Sequence, residues 1–305
     1  MPELPEIVTY IGALEPRVLG RTLDRIRLRS PSLLRTYDPP LSAAEGKRVV
    51  ALRRLGKRIV LGLEDDLFLV LHLMIAGRLR WKPPGAPVPK RGAHGAFDFE
   101  TGTLLLTEAS THKRASLHAV RGEAALAALD PGGLEPLDAD LDGFREALVR
   151  ENHTLKRALT DPRILSGIGN AHSDEILHAA RLSPFKRTRD LTDEETVRLH
   201  DAMRRSLTEW VERLKAETGD GFPEKVTAFH PAMAVHGRYG KPCPACGAPV
   251  QRIVVGEREV NYCASCQTGG RLLRDRSLSR LLHENWPATL EEFESRFRTS
   301  SEDAP

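Results

Sequence analysis

The spacing of hydrophobic residues predicts a different kind of structure in each part of the chain. Residues 4–14 repeat apolar side chains at helical intervals, which predicts an N-terminal helix. Between residues 20 and 110, short apolar runs alternate with turn-forming residues, a pattern typical of β-strands. The clearest predicted strands are residues 48–55, 58–63, 67–73 and 103–107. Residues 82–91 contain four prolines and are therefore predicted to form a loop.

Helical spacing returns from residue 141 to about residue 218. One predicted helix pair is marked by Leu141, Phe144, Leu148 and Leu155, and another by Ile176, Leu177 and Leu182. A long amphipathic helix is marked by Leu199, Met203, Leu207, Trp210, Val211 and Leu214. Between the pairs, residues 165–170 read Leu-Ser-Gly-Ile-Gly-Asn, which predicts a tight turn with exposed backbone N–H groups. Such a turn is either a phosphate-binding site or an ordinary helix cap.

The four cysteines of the chain predict a metal site. They form two C-x₂-C pairs separated by 16 residues: Cys243, Cys246, Cys263 and Cys266. This spacing is typical of a tetrahedral Cys₄ zinc site, with a β-hairpin between the pairs turning near Gly256. The chain has no secretory signal pattern, so zinc is favoured over disulfides. No ligand position is left open, which predicts one structural Zn²⁺ and no catalytic metal.

Composition and charge exclude several classes of protein. Hydrophobic residues make up 40% and charged residues 29%, as in an ordinary soluble protein, and no apolar run approaches the length of a membrane span. We therefore expect a cytoplasmic protein with no membrane partner. The net charge is only +3, so affinity for nucleic acid has to come from local basic clusters such as residues 47–58 and 186–189. Each cluster taken alone is more typical of a solvated surface than of a binding site.

The first six residues, Met-Pro-Glu-Leu-Pro-Glu, carry candidate chemistry. If Met1 is removed, Pro2 offers a secondary amine, which can add to an aldehyde and form an iminium ion. Glu3 supplies a neighbouring carboxylate for proton transfer. The start of a helix would disfavour a positive charge on the amine and so lower its pKa. The alternative is that Pro2 and Pro5 are ordinary prolines of a first helical turn.

The Pro-Glu-Leu-Pro-Glu start, the Gly-Ile-Gly-Asn turn and the closing Cys₄ unit, in this order, resemble the formamidopyrimidine-DNA glycosylase/endonuclease VIII family. Leu4 resembles the formamidopyrimidine branch, and the resemblance covers about residues 1–268. It implies an α+β fold in which a β-sandwich with an N-terminal helix precedes a helix–two-turn–helix domain and a Cys₄ zinc finger. We predict a catalytic domain at residues 1–133, the helical domain at 134–235, the zinc finger at 236–270 and a helical extension at 271–305.

The resemblance also implies roles for individual residues. The catalytic positions are matched by Pro2 as nucleophile, Glu3 as general acid/base, and Lys57 and Arg258 beside the lesion. The phosphate-contacting positions are matched by His72, Lys156 and Asn170. Glu175 matches a family glutamate near the turn, which is either functional or structural, and His236 replaces a usual tyrosine.

The chain departs from the family where the gap left by an everted base is filled. Ile75 stands at the usual methionine, although neighbouring Met74 serves if the register differs. Lys113 or Arg114 stands at the usual arginine, and Ala115 at the usual phenylalanine. Alanine cannot wedge between stacked bases as an aromatic ring can, so we expect an altered preference among damaged bases.

The resemblance implies a base-excision-repair DNA glycosylase with AP lyase activity. Such an enzyme removes oxidised or ring-opened bases through a Schiff base at Pro2, followed by β,δ-elimination. Its partner is damaged double-stranded or single-stranded DNA, and we expect a monomer of bacterial type associated with the nucleoid. One alternative is a non-catalytic or lyase-only binder of abasic or distorted DNA. Another is a zinc-ribbon protein that binds RNA or a protein partner.

Overall fold

The computed structural model describes residues 1–224, 230–255, 258–274, 287–292 and 295. The chain divides into two compact units. The first unit comprises Met1–Glu135, Ser166–Ile168 and Leu207–Ala228. The second comprises Pro136–Leu165, Gly169–Ser206 and Phe229–Pro305. In the described residues, no helix is both long and apolar enough to cross a membrane.

The first unit begins with helix α1, Leu4–Val18. Glu3 is its N-cap, and the Glu6 carboxylate accepts a hydrogen bond from the Glu3 backbone N–H at 2.7 Å, the pairing expected of a capping box. Pro5 lies in the first turn, where a missing N–H removes no helical hydrogen bond. The apolar face of α1 is buried in the main core, as the periodicity predicts.

Eight antiparallel strands follow α1 in this unit, in the order β5-β7-β6-β1-β2-β3-β4-β8. The strands are β1 Thr22–Leu28, β2 Lys47–Leu55, β3 Arg58–Leu63, β4 Leu67–His72, β5 Gly77–Lys82, β6 Ala93–Phe99, β7 Gly102–Glu108 and β8 Ser116–Arg121. Only two residue pairs join β1 to β2, so the sheet consists of two four-stranded halves. Inward side chains of both halves share one core with α1, which confirms the predicted sandwich.

The predicted helices follow a short helix α2, Glu123–Ala127, of the first unit. They are α3 Leu141–Val149, α4 Leu155–Thr160 and α5 Asn170–Ala179 in the second unit, and α6 Asp193–Thr218, which belongs to the second unit up to Ser206 and to the first unit from Leu207 onward. The Asp140 carboxylate caps α3 by accepting from Gly143 N at 2.8 Å, and Thr154 caps α4. Strands β9 Val250–Val255 and β10 Arg258–Cys263 form the predicted hairpin, followed by α7 Ala264–Thr268. Its turn at residues 256–257 lies outside the described residues.

Of the predictions from apolar spacing, one differs from the structure and one falls largely outside the described residues. Leu182 does not belong to a helix, because Arg181 adopts left-handed backbone (φ 54) and ends α5. Leu182 N donates to Leu177 O and Arg181 N to His178 O, both at 3.0 Å, the paired hydrogen bonds of a Schellman cap. The apolar residue therefore covers the helix end. The helical extension predicted at 271–305 falls largely outside the described residues.

The turn before α5 contacts the start of α1 within the first unit. Gly167 O accepts a hydrogen bond from Leu4 N at 2.9 Å. Gly167 has φ +79, and a Cβ placed there would lie 3.0 Å from Leu4 Cβ. The glycine thus permits both the left-handed backbone and the close approach of α1.

We expect Gly167→Ala to destabilise the protein more than Gly132→Ala. Gly132 has nearly the same φ, +80, but no heavy atom within 4 Å of the position of an added Cβ. Both variants bear the strain of left-handed backbone, about 1–2 kcal/mol, but only Gly167→Ala also presses on Leu4. Urea unfolding of both variants measures the difference. Equal losses in free energy of unfolding would show that the contact with Leu4 contributes nothing.

Candidate active site and zinc centre

The chain terminus is fixed at the entrance to α1. Pro2 and Glu3 are both buried, and Glu3 is only 2% exposed. Hydrogen bonds from Glu3 N to Glu6 and from Leu4 N to Gly167 hold the backbone on two sides. The structure therefore places the predicted nucleophile and the predicted acid/base side by side in an ordered environment.

Burial of the terminus favours a neutral amine. Burial lowers the pKa of the Met1 α-amine below its ordinary value of 8.0, and the cations of Arg78 and Lys57 lower it further. The carboxylates of Glu3 and Glu6 act in the opposite direction and only partly offset this. The Met1 amine stands one residue before the Pro2 nitrogen, so the same charged groups lie near the proposed nucleophile.

Arg78 is a residue of this site that sequence analysis missed. Its guanidinium Nη1 donates to Gly77 O at 2.7 Å and to Ile75 O at 3.2 Å, and its charge acts on the terminal amine. In the sequence Arg78 is one of several polar residues alternating along β5, so the pattern alone does not distinguish it. Lys57, which the sequence analysis did identify, lies in the tight turn between β2 and β3 after Gly56, whose φ is +60.

His72, at the end of β4, is held in its neutral form. Burial lowers the pKa of His72 to about 4, and the cations of Arg58 and Lys57 add to the effect. Its Nε2 atom is buried and has no hydrogen-bond partner among the residues that the structure describes. A contact between His72 and phosphate would thus use a neutral ring N–H and not a positive charge.

The turn between β4 and β5 presents an apolar tip. Gly77 N donates to Leu73 O at 2.9 Å, and Met74 adopts left-handed backbone with φ 53. A Cβ on Gly77 would lie 2.2 Å from Leu73 O, so only glycine fits there. Ile75 is 57% exposed at this tip, whereas Met74 is half-buried. Of the two candidates for the gap-filling position, Ile75 has the accessible side chain.

Ala115 cannot contact DNA, because it is 1% exposed and belongs to the main core. The neighbouring Lys113 and Arg114 are exposed on the loop that leads to it. A phenylalanine at position 115 would overpack the core, at a cost of about 1–3 kcal/mol. An aromatic ring at position 115 would therefore not be available as a wedge between bases.

A buried carboxylate anchors the loop that carries Lys113 and Arg114. Glu108 accepts hydrogen bonds from Arg114 N at 3.0 Å, from Ala115 N at 3.3 Å and from His94 Nε2 at 2.6 Å. Burial opposes ionisation of Glu108, but these hydrogen bonds outweigh it and lower the pKa of the carboxyl group. An ionised Glu108 therefore fixes the base of the loop. The Lys113 ammonium donates back to the Glu108 carbonyl oxygen, while Arg114 is exposed.

In the second unit, Lys156 supports the turn before α5. Its ammonium donates to Asn170 O at 2.7 Å, Ser173 Oγ at 2.8 Å and Asp174 Oδ1 at 2.5 Å. An ammonium group has three donors, so all of them are engaged within the protein. Lys156 is also only 8% exposed. The structure thus assigns Lys156 to the support of the turn, and a direct phosphate contact would require it to give up one of these bonds.

Asn170 and Glu175 are both tied to the zinc-finger segment. Asn170 begins α5, is half-buried, and its Nδ2 donates to Glu259 O at 2.8 Å. The Glu175 carboxylate accepts from three consecutive backbone N–H groups at 2.6–2.9 Å, those of Ala234, Val235 and His236. Glu175 therefore has the structural role that was one of its two alternatives. Arg258 lies at the start of β10, and its side chain is outside the described part of the chain.

The four cysteines converge on one point. Their sulfur atoms all lie within 4.8 Å of one another, with Cys243 Sγ 3.9 Å from Cys266 Sγ and Cys246 Sγ 3.4 Å from Cys263 Sγ. A tetrahedral zinc with Zn–S bonds of ~2.3 Å separates its sulfurs by ~3.8 Å, so the donor set fits Zn²⁺. All four positions are filled by protein, which makes this a structural zinc site, as predicted.

Comparison with known proteins agrees with this architecture. The family model of the formamidopyrimidine-DNA glycosylase N-terminal domain matches residues 1–116. The model of the formamidopyrimidine-DNA glycosylase H2TH domain matches residues 133–220. The model of the zinc finger found in FPG and IleRS matches residues 240–269.

Individual proteins are similar along nearly their whole length. The formamidopyrimidine-DNA glycosylase of Thermus thermophilus is 39% identical over 282 residues, which cover 88% of this chain and 100% of that protein. The Lactococcus lactis Fpg in complex with DNA containing an abasic site is 27% identical, with a TM-score of 0.77, and the match covers 87% of this chain and 99% of that one. MutM in complex with DNA containing carbocyclic 8-oxo-G gives a TM-score of 0.78 at 27% identity, and the match covers 88% of this chain and 100% of that one.

A sandwich with a buried N-terminal Pro-Glu pair, a helix–two-turn–helix domain and a structural zinc finger define a DNA-binding base-excision glycosylase. The chain belongs to the formamidopyrimidine-DNA glycosylase family. This assignment excludes a zinc-ribbon protein whose partner is RNA or protein alone.

Proposed function

We propose that this protein excises oxidised or ring-opened bases from damaged DNA and then cleaves the strand as an AP lyase. The observation that carries the proposal is the buried, hydrogen-bonded Pro2–Glu3 start, where burial and cations lower the pKa of the terminal amine. Removal of Met1 turns Pro2 into a secondary amine in this environment. A protein that only bound DNA would need neither the amine nor the carboxylate.

The chemistry follows from these two groups. The Pro2 nitrogen attacks C1′ of the everted nucleotide, and the base departs with the electron pair of the glycosidic bond. Glu3 donates a proton to the ring oxygen, so that the sugar opens and an iminium ion forms. The iminium acidifies the C2′ proton, whose loss expels the 3′ phosphate by β-elimination. A second elimination expels the 5′ phosphate, so the strand is cut on both sides of the sugar.

Cations and polar groups of both units are proposed to contact DNA phosphates. They are Lys57, His72, Lys113, Arg114, Asn170 and Arg258, with Lys156 supporting Asn170 from within. Such contacts hold a distorted duplex and offset the cost of unstacking the target nucleotide. We further propose that the protein acts as a monomer on double-stranded or single-stranded DNA. A place in the bacterial cytoplasm, associated with the nucleoid, is consistent with the bacterial relatives.

We expect Pro2→Gly to cut abasic DNA on the order of 10²-fold more slowly than the wild type, because a flexible primary amine loses the geometry of the ring. Binding to the same DNA should change little. Single-turnover cleavage and borohydride trapping on an abasic duplex measure this.

Protein shown by mass spectrometry to retain Met1 should not form a trapped complex with DNA, since its Pro2 nitrogen is an amide. Efficient trapping by that form would contradict the N-terminal mechanism, and a wild type that binds but never traps would be a DNA binder only.

We expect Arg78→Gln to shift the pH profile of the borohydride-trapping rate, so that its rise on the acidic side occurs at higher pH. The free amine is the nucleophile, and loss of a cation that lowers the amine pKa raises that pKa. The shift is upward because more base is then needed to deprotonate the amine. Arg78→Lys, which keeps the charge, should leave this rise nearly in place.

Arg80→Gln is the matched control for this pH experiment, because Arg80 is a more exposed arginine of the same strand, and the cations that lower the amine pKa are Arg78 and Lys57. An unchanged pH profile in Arg78→Gln, or an equal shift in Arg80→Gln, would remove Arg78 from the site.

The exposed tip at Ile75 is proposed to fill the gap left by the everted base. With Ala115 buried, this wedge has no aromatic partner at position 115, so a stacking contribution of ~1–3 kcal/mol per base is absent. The enzyme should therefore act best where eversion costs little. We expect faster excision of 8-oxoguanine from a single strand than from a matched duplex with cytosine, and similar preference for abasic sites and ring-opened purines.

We expect Ile75→Ala to slow single-turnover excision from the matched duplex by about 10-fold. The same variant should excise from a single strand at the wild-type rate, because no stacked duplex has to be opened. Val50→Ala is the control, since Val50 is similarly exposed, at 55% against 57% for Ile75. Equal slowing on both substrates would mean that Ile75 acts in binding or folding and is no wedge.

A further inference from the structure

One stripe of helix α5 faces the zinc-finger segment. Asn170, Asp174 and His178 are spaced at i, i+4 and i+8, so they lie on the same side of the helix. Each contacts that segment: Asn170 Nδ2 donates to Glu259 O at 2.8 Å, and Asp174 Oδ2 accepts from Asn261 N at 3.2 Å. His178 reaches the metal site itself, because its Nε2 lies 3.2 Å from Cys243 Sγ. The helix that begins at the predicted phosphate contact thus ends at a zinc ligand.

The direction of the His178–Cys243 hydrogen bond follows from chemistry. A zinc-bound cysteine is a thiolate and has no proton to donate, so the ring nitrogen must be the donor. Both groups are buried, His178 at 9% and Cys243 at 2% exposure, which keeps water from replacing the contact. The imidazole ring supplies the one N–H that is required.

We propose that His178 belongs to the zinc centre, where it donates a hydrogen bond from Nε2 to the Cys243 thiolate and slows the loss of the metal. Four thiolates bring more negative charge than one Zn²⁺ neutralises. A donor at one sulfur draws off part of that charge and fixes the orientation of the ligand. Such outer partners of metal ligands typically change metal affinity by ~10–100-fold when they are removed. The role differs from those of the cysteines, since His178 does not bind the metal.

No signal in the sequence alone marks His178 as part of a metal site, because it lies 65 residues before Cys243. The two are recognised as partners only when α5 packs against the cysteine segment. The neighbouring stripe residues indicate why the contact is reproducible. Asn170 and Asp174 fix the helix at two earlier turns, so the position of the imidazole does not depend on a single contact.

The test compares three variants of the full-length, zinc-loaded protein. His178→Leu removes the donor, and His178→Gln keeps a donor, since the Gln Nε2 can take the place of the ring Nε2. His200→Leu is the matched control: His200 is equally buried, at 6% exposure, but its Nε2 lies 3.0 Å from the carbonyl oxygen of Ala139. Zinc release is measured as the rate at which a chromophoric chelator takes up the metal. Cobalt-substituted protein provides a second readout through the thiolate-to-cobalt charge-transfer band.

We expect His178→Leu to release zinc ~10-fold or more faster than the wild type. Its cobalt band should shift to lower energy, because the Cys243 thiolate loses a donor. His178→Gln should restore most of both properties, and His200→Leu should change neither. Wild-type release from His178→Leu would overturn the proposal. So would equal acceleration in His200→Leu, or no recovery in His178→Gln, since either would show a general loss of packing and not a hydrogen bond to sulfur.

Discussion

The proposed active site depends on an ordered N-terminus. Terminal residues are usually frayed, because nothing repays the entropy of ordering them. Here the hydrogen bond from Leu4 to Gly167, the capping interaction between Glu3 and Glu6, and the burial of the apolar face of α1 supply that free energy. The same burial that orders the terminus removes water from its amine. Position and reactivity of the proposed nucleophile thus have a common cause.

In the second unit, a small hairpin with few apolar residues has to be ordered. The core around β9 and β10 is small, so metal binding and a polar stripe on α5 share its stabilisation. Asp174 accepts from both Lys156 and the hairpin, and it also pairs with His236 at 2.8 Å. The turn that ends at Asn170 is therefore held in place by buried charged groups of the same unit. A lysine that looks like a phosphate contact in the sequence acts instead as part of that support.

Local pattern predicted the elements well. The bounds of β3, the long helix α6 and the cysteine site follow from periodicity and spacing, which depend only on neighbouring residues. Other features depend on contacts between distant residues and could not be predicted. The burial of Ala115 results from a loop anchored on Glu108, and Arg78 gains its role from the fold of the terminus beside it. The resemblance to a family located candidate positions, but only the structure separated exposed Ile75 from buried Ala115.

The proposed chemistry requires that the covalent bond to DNA form at the nitrogen of residue 2. The most direct measurement is mass spectrometry of the protein after borohydride trapping on abasic DNA, nuclease treatment and proteolysis. We predict that the N-terminal peptide, beginning at Pro2, alone carries the reduced sugar remnant on its α-nitrogen. A remnant on a lysine side chain, above all Lys57 beside the terminus, would contradict it.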